Sequence, residues 1–180
     1  MRLIMLDRDG VLNENPPNYV KNPDELIAIP GSAAAVARLN NAGMRVVLCT
    51  NQSAVGRGII DMAMLERIHD KLRDLLATAG ARLDHILVAP DAPWAATPRR
   101  KPGNGMLREA MSHFQVAPAQ AVFIGDSLSD LQAAASAGCH RMLVRTGHGR
   151  DAQAAGLPRD VLPVGVHETL ADAVEALLTA

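Results

Sequence analysis

Four short apolar runs stand out along the chain, Leu3-Ile4-Met5-Leu6, Val46-Val47-Leu48-Cys49, Ile86-Leu87-Val88 and Val122-Phe123-Ile124, and each gives way to polar residues. Continuous runs of this length, without polar alternation, suit strands buried on both faces. The pattern predicts strands over 3–6, 45–49, 83–88, 121–124 and 142–144, and helices over 32–42, 62–79, 105–114, 128–137 and 168–178. The first helix is expected to be capped by Ser32 and ended by Gly43, the second to be ended by Gly80. Strands alternating with helices of this length imply crossover connections and a mostly parallel sheet with helices on both faces, an α/β architecture.

At 180 residues and 48% hydrophobic content the chain can bury a sizeable core, and no linker-like stretch divides it, so a single domain is expected over 1–180. The segments between Asp9 and Thr50, and between Thr50 and Lys101, hold the expected elements but leave no room for a separate cap domain. An open mouth rimmed by residues 13–23, 53–59 and 89–104 follows. The formal net charge of −1 gives no general attraction to nucleic acid or acidic membranes, which favours a small-molecule partner. No apolar run approaches bilayer-spanning length, and nothing at the N-terminus marks the chain for export. Cys49 and Cys139 are too few for a disulfide framework and suit a reducing compartment, so a cytoplasmic protein is expected. Both read as small buried apolar residues.

Candidate chemistry gathers at the strand ends. Asp7 and Asp9 follow the first strand, Thr50 the second and Asp126 the fourth, while Lys101 lies in the loop beyond the third. In an open parallel sheet, ligands bind in the crevice outside the carboxyl ends of the strands, so these positions share one address. Taken singly, each has a plain reading: solvated strand-end carboxylates, a threonine bonding locally, a solvated lysine, an acidic residue at a helix N-terminus. Their common placement favours chemistry.

A phosphate ester beside three carboxylates is repelled by about 4 kcal/mol per pair of unit charges at about 4 Å and an effective dielectric of about 20. A divalent cation resolves that conflict, and Mg²⁺ is held by one or two carboxylates together with phosphate oxygens. Asp7 and Asp126 are the expected ligands. Asp7 is also the expected nucleophile, Asp9 the acid and base, and Thr50 and Lys101 the partners of the phosphoryl oxygens. Ser127 and Asp130 spell a helix-capping pattern, which leaves Asp130 either purely structural or orienting Lys101 or a metal-bound water.

Together, Asp7-Arg8-Asp9-Gly10-Val11, Thr50 after its hydrophobic strand, Lys101, and Gly125-Asp126-Ser127-Leu128-Ser129-Asp130 resemble the motifs of the haloacid dehalogenase superfamily over most of the chain. That resemblance implies a Rossmann-like, haloacid dehalogenase-like sheet and hydrolysis of a phosphomonoester through an aspartyl phosphate. It implies the first aspartate as nucleophile, the second as acid and base, and Mg²⁺ held by Asp7, Asp126 and the backbone carbonyl of Asp9.

Closer still, Thr50-Asn51-Gln52-Ser53 with Arg57-Gly58, Arg100-Lys101-Pro102, Gly105-Met106-Leu107 and Val144-Arg145-Thr146-Gly147 resemble the D-glycero-D-manno-heptose 1,7-bisphosphate 7-phosphatases of lipopolysaccharide precursor synthesis. The histidinol-phosphate phosphatases share the first motif and Arg-Lys-Pro but generally lack the Arg-Gly and Arg-Thr-Gly pieces. By this resemblance Asn51 and Arg100 touch substrate, with Asn18 and Tyr19 nearby. The rim arginines Arg57, Arg99 and Arg100 suit a second phosphate.

Members of that subgroup often carry a zinc loop. Its ligand positions fall here on Ala89, Asp91, Thr97 and Arg99, which offer no thiolate or imidazole, so no zinc is expected. Trp94, the only tryptophan, is expected to pin that loop to the body, and the six histidines show no ligand-like spacing. Two alternatives remain open: a histidinol-phosphate or broad sugar phosphatase, and a phospho-accepting signalling module. An acid/base group two residues after the phosphorylated aspartate argues against the second. A site built wholly from this chain needs no partner subunit, and a monomer acting on a sugar phosphate is expected.

Overall fold

The computed structural model describes residues 1–179. Six strands, β1 (Leu3–Leu6), β2 (Arg45–Asn51), β3 (His85–Ala89), β4 (Ala121–Gly125), β5 (His140–Val144) and β6 (Gly165–His167), form one sheet in the order β3-β2-β1-β4-β5-β6. Every pairing is parallel. The helices are α1 (Ser32–Asn41), α2 (Ser53–Gly56), α3 (Met62–Thr78), α4 (Gly105–His113), α5 (Leu128–Ala137), α6 (Gly149–Ala154) and α7 (Leu170–Thr179). Chain order runs outward from β1 in both directions, so the strand order reverses beside β1 and opens a crevice at the carboxyl ends of β1, β2 and β4.

Side-chain alternation explains why the central strands are apolar over 3–6, 46–49 and 121–124. Ile4, Leu6, Val46, Leu48, Val122 and Ile124 pack under α1, α3 and α7, while Leu3, Met5, Val47, Cys49 and Phe123 pack under α4 and α5. Each fully buried aliphatic side chain stabilises the fold by roughly 1.5–3 kcal/mol. Both layers therefore need apolar residues where the central strands are covered on both faces, and the polar residues of β2, Arg45, Thr50 and Asn51, fall at its ends. Leu6 is level with Leu48 and Ile124, so Asp7 emerges beside the ends of both neighbouring strands.

Several local expectations are corrected. The N-cap of α1 is Gly31, at φ 84°, and Ser32 lies inside the helix, where its hydroxyl donates to the Leu12 carbonyl at 2.9 Å. β2 continues through Thr50 to Asn51, β3 begins at His85 and β5 begins at His140. Helices α2 and α6 and strand β6 are too short to leave a periodic signal. Both cysteines are buried and free. Among the described residues no helix is long and apolar enough to cross a membrane.

Candidate active site

Asp7, one residue past β1, accepts the Arg8 backbone N–H at Oδ1 (2.7 Å) and faces Lys101 Nζ with Oδ2 (2.8 Å). Lys101 comes from the loop between β3 and α4, yet its side chain is 1% exposed and its ammonium lies 2.6 Å from Asp130 Oδ1. That ammonium also lies over the ring of Phe123, 5.0 Å from its centroid. The loop is held by Asn51, whose amide donates to the Lys101 carbonyl (2.9 Å) and accepts the Lys101 N–H (3.0 Å). Burial disfavours the Lys101 charge, but Asp130 and Asp7 outweigh it and raise its pKa. Burial pushes Asp7 up to about 6 even though Lys101 opposes the shift.

Asp9 is ringed by donors. Arg8 forks onto both of its oxygens, Asn13 donates to Oδ1 at 2.8 Å, and Gln52 donates to Oδ2 at 2.9 Å. Burial works against ionisation of Asp9, but Arg8, Asn13 and Gln52 prevail and lower its pKa. The same Gln52 amide donates to Thr50 Oγ1 at 2.9 Å, which leaves the fully buried Thr50 hydroxyl its own proton to donate.

Asp126 follows β4 and sits between two glycines. A Cβ on Gly10 or Gly147 would meet Asp126 Oδ2 at 2.0 Å or 2.1 Å, so only glycine admits the carboxylate there. The His148 N–H donates to that oxygen at 2.8 Å, and the Thr146 hydroxyl donates to the Gly10 carbonyl at 2.6 Å. The Arg-Thr-Gly segment after β5 thus forms one wall of the site. Asp130 does both things left open for it. Its Oδ2 accepts the N–H groups of Asp126 and Ser127 and the Ser127 hydroxyl, while Oδ1 pairs with Lys101.

Asp7, Asp126 and Asp130 each offer a carboxylate oxygen within 4.8 Å of the others. Burial, followed by the charges of Asp7 and Asp130, pushes Asp126 up to about 8. The cluster is short of positive charge. Its donors are hard oxygens alone, and Asp130 is already engaged, so Asp7 and Asp126 fit a small divalent cation.

The rim is divided. The Arg57 guanidinium lies over the Trp94 ring, 4.9 Å from its centroid, and the tryptophan is 71% exposed. Trp94 therefore carries an arginine and does not pin the loop to the body. That loop is closed instead by Asp91, which accepts the Thr97 N–H at 2.9 Å, two of the positions that hold zinc ligands in the resembling subgroup. Arg100 donates to the Asp91 carbonyl at 3.1 Å, and burial together with nearby Arg57 lowers its pKa. Arg99 is engaged by Glu109 and the Val88 carbonyl, so it does not join them. Asn18 is exposed and Tyr19 half-buried at φ 62°. Sequence reasoning assigned no role to Arg8, Asn13, Gln52 or Gly147, and missed that His69 is buried. The one available signal was an arginine placed between two apolar-flanked aspartates.

A family model described as HAD-hyrolase-like matches residues 98–173. The D-glycero-beta-D-manno-heptose-1,7-bisphosphate 7-phosphatase of Bordetella bronchiseptica is 48% identical over 99% of this chain and 98% of its own length. The enzyme of the same name from Pseudomonas putida is 41% identical over 90% of this chain and 93% of its own. A crystal structure of the B. bronchiseptica D,D-heptose 1.7-bisphosphate phosphatase, complexed with magnesium and phosphate, superposes with a TM-score of 0.94 over 99% of both chains. The Burkholderia thailandensis D,D-heptose 1,7-bisphosphate phosphatase is 39% identical, with a TM-score of 0.78 over 100% of both chains. With strand-end aspartates, lysine and threonine gathered as described and relatives of this identity covering the whole chain, the protein belongs to the D-glycero-D-manno-heptose-1,7-bisphosphate 7-phosphatase family within the haloacid dehalogenase superfamily.

Proposed function

We propose that this single-domain chain, acting as a monomer, removes the 7-phosphate of D-glycero-D-manno-heptose 1,7-bisphosphate with Mg²⁺ as cofactor. The observation that carries the reading is the buried ensemble of Asp7, Lys101, Asp126 and Asp130 at the strand ends. The names of the relatives, and the magnesium and phosphate in one of them, support the substrate and the metal. Asp7, Asp126 and the Asp9 backbone carbonyl would hold the ion, which when bound neutralises the phosphoryl charge that the carboxylates repel.

The chain's own groups do the rest. An Asp7 oxygen attacks phosphorus while the bond from phosphorus to the sugar oxygen breaks, and Asp9, having taken up a proton from solvent against the donors that favour its carboxylate, gives that proton to the leaving oxygen. Water then attacks phosphorus, Asp9 takes the water's proton, and the bond to Asp7 breaks to restore the carboxylate. Lys101 and the Thr50 hydroxyl hold the phosphoryl oxygens through both displacements. Arg57 and Arg100, on the rim, take the second phosphate, with Asn18 and Tyr19 beside the sugar. Asn51 serves by clamping the Lys101 backbone.

Phosphate release from a panel of esters, with Mg²⁺ and with chelator, tests substrate and cofactor together. The heptose bisphosphate is expected to give the highest kcat/KM, and chelator to abolish turnover. A preference for histidinol phosphate by orders of magnitude, or full activity in chelator, refutes the proposal.

A further inference from the structure

Arg8 lies between the two aspartates of the loop after β1, is 1% exposed, and is among the largest fully buried side chains of the protein. Taking a guanidinium out of water opposes folding by several kcal/mol unless its charge and donors are matched. Here they are matched by the Asp9 carboxylate. Nε reaches Oδ1 at 3.2 Å, and Nη2 reaches Oδ1 at 3.0 Å and Oδ2 at 3.1 Å. A carboxylate torsion is otherwise broad and roughly two-fold. A planar fork on both oxygens fixes its rotation and its tilt together.

The guanidinium is held in turn from behind. Its Nη1 faces Nε2 of His69, on the buried side of α3, at 3.4 Å. Arginine has donors only, so Nε2 is the acceptor and the imidazole is neutral with its proton on Nδ1. From α3 to the reaction centre there is thus one chain of contacts, His69 to Arg8 to Asp9, whose first two members are each 1% exposed and out of reach of substrate.

We infer that Arg8, anchored by His69, is a positioning residue for proton transfer, holding the Asp9 carboxylate at the angle from which it serves the leaving-group oxygen. The inference rests on the reading of Asp9 as acid and base. An ion pair with a purely structural role would affect every ester alike. A positioning role affects those esters whose leaving group needs the proton.

The test compares kcat/KM for the heptose bisphosphate, whose alkoxide must be protonated as it leaves, with kcat/KM for p-nitrophenyl phosphate, whose phenolate leaves without a proton. This ratio reports the steps through formation of the aspartyl phosphate, so later hydrolysis does not mask it. Asp9→Asn, assayed on the full chain with Mg²⁺, sets the scale: about 10²–10⁴-fold loss on the sugar ester and far less on the aryl ester. Arg8→Met is expected to lose about 10–100-fold on the sugar ester and under about threefold on the aryl ester. His69→Phe leaves Arg8 in place and is expected to lose about 3–10-fold, with the same preference.

Equal losses on the two esters, or no loss, in Arg8→Met overturn the inference. Should Arg8→Met not fold, His69→Phe decides by the same ratio. If Asp9→Asn itself shows no preference between the esters, the reading of Asp9 has failed and the inference falls with it. If Asp9→Asn shows the preference and neither other variant does, only the positioning role is refuted.

Discussion

Replacing Asp126 by asparagine separates what the acidic cluster does for function from what it does to the fold. Asp126 is 2% exposed, and burial beside Asp7 and Asp130 moves it from its ordinary value of 3.8 up to about 8. An aspartate that binds its proton more tightly when folded weakens the fold as pH rises, progressively between about 4 and about 8. At about pH 7.5 that shift corresponds to about 5 kcal/mol against the metal-free fold, and at about pH 4.5 to about 1 kcal/mol. Asparagine keeps the shape and an acceptor for the His148 N–H but retains some of the desolvation, so the expected gain at the higher pH is about 2–4 kcal/mol. For a chain of this size that raises Tm by about 5–15 °C. Calorimetry in chelator at both pH values measures it. Mg²⁺ should then stabilise the wild-type protein at the higher pH and leave Asp126→Asn nearly unmoved, because the variant has lost a ligand. A metal-free Asp126→Asn protein less stable than wild type at about pH 7.5, or a gain that ignores pH, refutes the reasoning.

Asp7→Asn is expected to fold with an unchanged far-UV spectrum and to release no phosphate; robust hydrolysis would remove Asp7 as nucleophile. Gly147→Ala places a Cβ 2.1 Å from Asp126 Oδ2 at a residue whose φ is 55°; a loss of stability of about 1–3 kcal/mol by denaturant titration is expected, with kcat falling at least about tenfold as the carboxylate is displaced. Trp94→Ala removes an exposed partner of Arg57 worth about 0.5–1 kcal/mol, so Tm should move by no more than about 4 °C. The KM of that variant should rise several-fold for the bisphosphate and not for a monophosphate, and parallel changes for both would detach Arg57 from the second phosphate.

The layered sheet was legible because β1, β4 and the middle of β2 are buried on both faces and so run apolar without a break over 3–6, 121–124 and 46–49. The strand-end positions of Asp7, Thr50 and Asp126 followed from that, and the geometry brings them together with Lys101. What was not legible is contact across distance. Nothing in the local pattern says that Gln52 joins Asp9 to Thr50, that Asn51 clamps the loop carrying Lys101, or that His69 of α3 meets Arg8. The short elements escaped because three to six residues hold less than two helical turns of pattern. Ser32 misled because a serine at a helix start reads as a cap whether it bonds the helix or, as here, the Leu12 carbonyl. Trp94 misled because its size suggests burial, whereas its ring is presented to an arginine at the rim.

Chemical trapping tests the central claim most directly. Enzyme quenched in acid during turnover, reduced with borohydride and digested is predicted to yield homoserine in place of Asp7, since an aspartyl phosphate is reduced to the alcohol and a free carboxylate is not. Homoserine at another aspartate, or none while phosphate is being released, would contradict phosphoryl transfer to Asp7.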